Sequence, residues 1–230
     1  MARYAIYYVP ERQTALWEFG CNVLGYDAER GVEVTQLVPS GFGESEWREM
    51  TAAPRRYGFH ATMKAPIALR DGTTEAELLA AFREFAGKED AFAAAPPKVA
   101  LHGDYVTLLL SAPDQRVQAL GDSCVRSLDA FRAPPSEREK QRRLDGGLSE
   151  SQSAHLERWG YPYVFSDFVF HMSLAGSLRE GRSEAAFEGL ARLYEDEVGD
   201  EALVFSSLAV FAEPEPDAPF VVAERAKLRR

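Results

Sequence analysis

Apolar residues fall in two periods along this chain, a two-residue alternation and a three-to-four-residue spacing, and they predict strands interleaved with helices. The run 3–9, rich in Tyr, Ile and Val and closed by Pro10, predicts a first strand. Thr14 is placed to cap a helix carrying Leu16, Trp17, Phe19 and Cys21, which Gly25 ends. The Gly-, Ser-, Glu- and Pro-rich stretch 38–56 reads as loop or short helix. It leads into a strand over 57–69, where Pro66 has no N–H to give a ladder and calls for an edge, a bulge or a strand end.

Residues 71–74 supply a turn and a cap for a helix over 75–86, with Leu78, Leu79, Phe82 and Phe85 at helical spacing. Strands over 99–102 and 105–110, joined at Gly103-Asp104, make a tight hairpin. Asp114 caps a helix reaching about residue 131. The Pro-, Gly-, Arg- and Glu-rich stretch 133–147 reads as a mobile loop, and Ser149 caps a helix to residue 159. A strand over 168–175, a helix over 183–197 and strands over 203–212 and 219–224 complete the order. The pattern is that of an α+β protein, a single bilobal unit over 1–230 with a first lobe at 1–112 and a second at 113–230.

Two of the predicted strands carry the same short grammar: Phe59-His60-Ala61-Thr62 and Phe170-His171-Met172-Ser173. On a strand alternate side chains share a face, so His60 stands with Thr62 and His171 with Ser173, backed by apolar neighbours. Imidazole moves protons near neutral pH and a neighbouring hydroxyl can hold an anionic oxygen. Lys64 follows on the His60 face, to pair with a phosphate or to snorkel at a cleft edge. Single histidines on strands and helices are usually structural, and His102 and His155 are read that way.

Charge narrows the partners. With 26 basic and 36 acidic residues the chain carries a net −10, which speaks against holding long RNA or DNA through its phosphates but leaves room for a basic pocket that takes a small anionic substrate. Arg56, Arg142 and Arg143 are the candidate phosphate ligands; Arg138 and Lys140 alternate with Glu137 and Glu139 as on a solvated face. Cys21 and Cys124 are too few for a disulfide framework or a zinc site. No nucleotide-binding glycine loop or His-x-x-x-His pair is present. The first residues read as neither signal peptide nor membrane span, so a cytoplasmic location without membrane contact is expected.

The doubled motif resembles that of the two-histidine phosphoesterase superfamily. The longer context is similar to the superfamily's phosphonate-metabolism branch, a family found beside carbon-phosphorus lyase genes: Arg3-Tyr4-Ala5-Ile6-Tyr7, the run from Tyr57 to Pro66, and Trp159-Gly160-Tyr161-Pro162-Tyr163-Val164 ahead of the second motif. The resemblance implies a bilobal RNA ligase/cyclic phosphodiesterase-like fold, two antiparallel sheets with flanking helices around a central cleft. It implies His60 and His171 as acid and base, and Thr62 and Ser173 as phosphate ligands; Ser173 stands where the family commonly has Thr. Tyr7, Tyr57, Tyr161 and Tyr163 are further candidates to contact a sugar or base. The implied activity is a cyclic phosphodiesterase needing no metal or cofactor and acting on a small phosphorylated sugar or nucleotide. RNA-end processing or ligation at a 2′,3′-cyclic phosphate, and a phosphate-ligand sensor without catalysis, stand as alternatives.

Overall fold

A computed structural model describes residues 1–176 and 181–230. The elements run β1 (Arg3–Tyr8), α1 (Ala15–Leu24), β2 (Tyr26–Asp27), β3 (Val32–Glu33), α2 (Glu44–Met50), α3 (Ala52–Tyr57), β4 (Ala61–Ile67), α4 (Glu75–Ala86), β5 (Phe92–Ala94), β6 (Pro97–His102) and β7 (Tyr105–Leu110). Then follow α5 (Gln115–Leu128), α6 (Glu137–Leu144), α7 (Glu150–Trp159), β8 (His171–Ala175), α8 (Ser183–Glu197), β9 (Leu203–Phe205), β10 (Ser207–Glu213) and β11 (Val221–Lys227). The α+β class is as the periodicity predicts.

The helix starts follow the predicted caps. Thr14 and Asp114 accept from Trp17 and Arg116 backbone N–H groups, and Thr74 with Glu77 and Ser149 with Gln152 form reciprocal capping boxes. The stretch 133–147 differs from the expected loop. Ser136 caps α6 by accepting from the Glu139 N–H, and the sequence behind it is made of strong helix formers. None of its residues is buried, so the helix leaves no apolar period to read.

The sheet also differs from the expectation. Among the described residues, seven strands form one antiparallel sheet, in the order β11-β10-β1-β4-β8-β7-β6, with β2–β3 and β5–β9 as separate two-stranded sheets; the two sheets expected around the cleft are joined as halves of the seven-stranded one. Its halves meet at a single ladder pair, Ala61 opposite Met172. Nor do the halves follow the division of the chain at residue 112. The hairpin β6–β7 pairs with β8, and the C-terminal strands β10 and β11 return to β1. Strand pairing is non-local, so chain order alone could not give this exchange. Helices α4 and α5 pack on the β4–β10–β11 half, and α1 and α8 on the β6–β7–β8 half, over one continuous apolar core.

Beyond Ala61 the strands β4 and β8 part. Pro66 lies in the parted stretch, where its missing N–H leaves no ladder bond unmade on the β8 side. On the other side β4 shifts register against β1. Tyr7 faces Thr62 but Ile6 faces Lys64, so Met63 is an extra residue in β4, a β-bulge.

Candidate active site

The aromatic residue ahead of each histidine anchors its motif. Phe59 is fully buried, and α1 approaches so closely that a Cβ on Gly20 would lie 2.1 Å from the Phe59 ring. Phe170 packs against Tyr8 and Phe205. Burying each ring contributes about 1.5–3 kcal/mol, which fixes the strand ends that carry the imidazoles. Across the join, Ala61 and Met172 point into the core. One antiparallel step either way sets Thr62 against His171 and His60 against Ser173, all four on the opposite face and half-buried. The two motifs thus lie head to tail around a local pseudo-twofold.

Each ring is held in the same way. His60 Nδ1–H donates to the Gly58 carbonyl and His171 Nδ1–H to the Val169 carbonyl, both at 2.8 Å. With Nδ1 carrying the proton, Nε2 is the acceptor nitrogen of each neutral ring. His60 Nε2 is 3.2 Å from Thr62 Oγ1. Tyr7 stacks on the other side of His60, with ring centroids 3.7 Å apart and planes at 21°. Gly58 has φ +74°, a left-handed conformation that orients its carbonyl, and a Cβ there would lie 2.6 Å from the Ala28 Cβ. Thr107 Oγ1 donates to the Met172 carbonyl at 2.8 Å and steadies β8.

Burial pushes the His60 imidazole down to about 4, opposed by its bond to Gly58 and reinforced by His171. His171 is also lowered by burial, with His102 adding to the effect.

The cleft has two parts that share Thr62, Tyr105, Tyr161, His171 and Ser173. The part on the His60 side, about 390 Å³, adds Arg3, Tyr7, Tyr57, Arg142 and Arg143. The part on the His171 side, about 490 Å³, adds His102, Tyr163, Phe168 and Asp167. Tyr163, Tyr105 and Val169 stand exposed at its rim.

Six of the eight candidate substrate-binding residues therefore line the cleft: Tyr7, Tyr57, Arg142, Arg143, Tyr161 and Tyr163. Two do not. The bulge at Met63 breaks the alternation and sends Lys64 to α5, where its buried ammonium pairs with Asp129 at 3.0 Å and donates to the Val125 carbonyl at 3.3 Å. Arg56 is held between the buried Glu213 and Asp217. Arg3, Tyr105 and His102 also line the cleft, though the sequence did not mark them as candidates. Arg3 is turned toward the site by its own pairing with Glu213, and Tyr105 comes from the β6–β7 hairpin. His102, read as structural, lies near-parallel to His171 at 6.1 Å between ring centroids. Only for Tyr105 and His102 did a signal exist: they flank the hairpin turn, and turns carry function once a sheet presents them.

Both cysteines are buried, and among the described residues no group of three or more His, Cys, Asp or Glu side chains is set to hold a metal ion. No described helix is long and apolar enough to cross a membrane.

A family model described as a protein of unknown function, DUF1045, matches residues 62–221. The chain belongs to the DUF1045 family. The match takes in Thr62, His171 and Ser173 and begins just after His60. Two curated proteins resemble this DUF1045 chain at 33% identity. One, from Janthinobacterium sp. (strain Marseille), aligns over 98% of the chain, and the other, from Laribacter hongkongensis (strain HLHK9), over 95%; both are named ribose 1,5-bisphosphate phosphokinase PhnN. The chain spans about half the length of these relatives, 50% of each. Among solved structures, E. coli LigT crystallised with ATP aligns with 99% of the chain over 98% of its own at 11% identity and TM-score 0.45. A protein described as a phosphoesterase aligns over the whole of both chains at 10% identity and TM-score 0.44.

Proposed function

We propose that this DUF1045 chain is a cyclic phosphodiesterase that hydrolyses a small phosphorylated sugar or nucleotide by acid/base catalysis between its two histidines. The observation that carries the reading is the head-to-tail meeting of His60-x-Thr62 and His171-x-Ser173, each ring locked through Nδ1 and lining one cleft.

In such a site water attacks phosphorus while one imidazole takes its proton, the P–O bond to the departing oxygen breaks, and the other imidazole supplies that oxygen with a proton. The product is a monoester with water added. His60 is the stronger candidate for the base, since burial keeps it neutral down to about pH 4, which leaves His171 as the candidate for the acid. Thr62 and Ser173 hydroxyls donate to the non-bridging oxygens as charge gathers there. These steps need no metal ion.

The substrate class draws on three supports. The relatives' name speaks of a phosphorylated ribose, and the family resemblance adds a ribosyl cyclic phosphate arising in phosphonate breakdown. The exposed aromatic rim on the His171 side suits a sugar or a base.

Phosphorus NMR of the purified protein in EDTA, with ribose 1,2-cyclic phosphate and nucleoside 2′,3′-cyclic phosphates, tests the reading. Conversion of at least one class to its monoester is expected. Folded protein that converts none overturns it.

A further inference from the structure

The two parts of the cleft differ in charge. Arg3, Arg142 and Arg143 line the His60 side, and no carboxylate is among its described lining residues, although the chain as a whole carries −10. A concentration of guanidinium groups in a site otherwise walled by aromatic rings is the local reverse of the protein's surface.

The cluster is built rather than incidental. Arg143 lies over the Tyr161 ring, 4.8 Å from its centroid, and its only ion-pair contact among the described residues is with Glu139 at 3.9 Å. Arg142 has no ion-pair partner among the described residues. Both sit in the last turn of α6, which Lys140 ties to α7 through Glu157 at 3.0 Å. Arg3 is oriented from behind by the buried Glu213. Thr62, Ser173 and the imidazoles already supply what one reacting phosphodiester needs, so the arginines are surplus to it. Guanidinium matches the geometry of a phosphate monoester better than any other side chain does.

We propose that the His60 side of the cleft binds a second, non-reacting phosphate group of the substrate, held chiefly by Arg142 and Arg143. The preferred substrate is then a cyclic phosphate ester that also bears a phosphate monoester. This deepens the phosphodiesterase reading and rests on it for turnover, but not for binding.

The test compares matched pairs. In turnover, nucleoside 2′,3′-cyclic phosphates with and without a 5′-phosphate are compared by kcat/KM; in binding, adenosine 3′,5′-bisphosphate and adenosine 3′-phosphate are compared by calorimetry. The wild type should favour the doubly phosphorylated member by about 10- to 100-fold, the range for charge-assisted hydrogen bonds to one phosphate. The Arg142→Ala/Arg143→Ala variant should bring that ratio to within about twofold of one, and the Lys variants should retain part of it. A wild-type ratio near one, or a ratio that the double variant leaves intact, overturns the proposal. Absence of turnover with the binding preference present and arginine-dependent would contradict the catalytic reading while leaving the subsite standing.

Discussion

Tyr7 and His60 stack ring on ring, 3.7 Å between centroids, although they come from different strands. The stack occupies one face of the imidazole, the Nδ1 bond to Gly58 fixes its rotation, and Thr62 sits at Nε2. The ring is thus held from several sides, the preorganisation that the proposed acid/base role requires.

Removing the stacked ring should loosen that position. Tyr7 is buried and also touches Phe211, so Tyr7→Ala is expected to cost about 3–5 kcal/mol, the usual loss for a large core aromatic. Tyr7→Phe keeps the ring and should stay within about 1 kcal/mol of wild type. Urea unfolding curves for the two variants check this.

The histidine environments set a pH dependence. A base must be neutral and an acid protonated, so kcat/KM should rise as His60 loses its proton around pH 4 and fall as His171 loses its own below 6.5. An optimum between these values is expected, with rate declining through neutrality; a flat profile from pH 6 to 8 would contradict the assignment. Stability should follow the same group. The unfolded chain protonates His60 near 6.5 and the folded chain only near 4, so its contribution is present above 6.5 and is lost as pH falls toward 4. His60→Gln should flatten that part of a stability-versus-pH curve.

Gly58 presents the carbonyl that holds His60. A side chain there meets both the strain of φ +74° and the Ala28 Cβ, so Gly58→Ala should destabilise by about 1–3 kcal/mol. It should also lower kcat more than it raises KM, because it disturbs a ring and not a binding contact. Steady-state kinetics at matched folded fraction separate the two effects.

Lys64 is a buried structural cation on the α5 side of the bulge. Its partner Asp129 also pairs with Arg132, and the ammonium itself is buried. Asp129→Ala leaves a buried charge unpaired and should cost about 3–5 kcal/mol, whereas Lys64→Met should be much milder. Thermal unfolding of the two variants distinguishes this from a substrate-binding lysine, whose loss would raise KM without asymmetry in stability.

Local rules carried much of the fold. Thr14, Thr74, Asp114 and Ser149 start helices because a short polar side chain ahead of an apolar period can satisfy the first free N–H groups. Helix α6 escaped because it buries nothing, and the exchange of β6–β7 against β10–β11 escaped because strand partners are chosen by non-local packing. The site divides along the same line. Both motifs were legible from alternation, but Lys64 was misplaced because one inserted residue at Met63 reverses alternation beyond it. Arg56 and Arg3 owe their directions to Glu213, a buried carboxylate distant in the chain.

The proposed mechanism requires His60 and His171 to act as one acid/base pair. Its most direct test is cyclic-phosphate turnover, followed by phosphorus NMR in EDTA, for wild type, His60→Ala, His171→Ala and the double variant. Each single variant should lose about 10²- to 10⁴-fold, and the double variant little more than either, because groups acting as a unit are not additive. A single variant that keeps wild-type turnover, or losses that multiply as for independent groups, would contradict it.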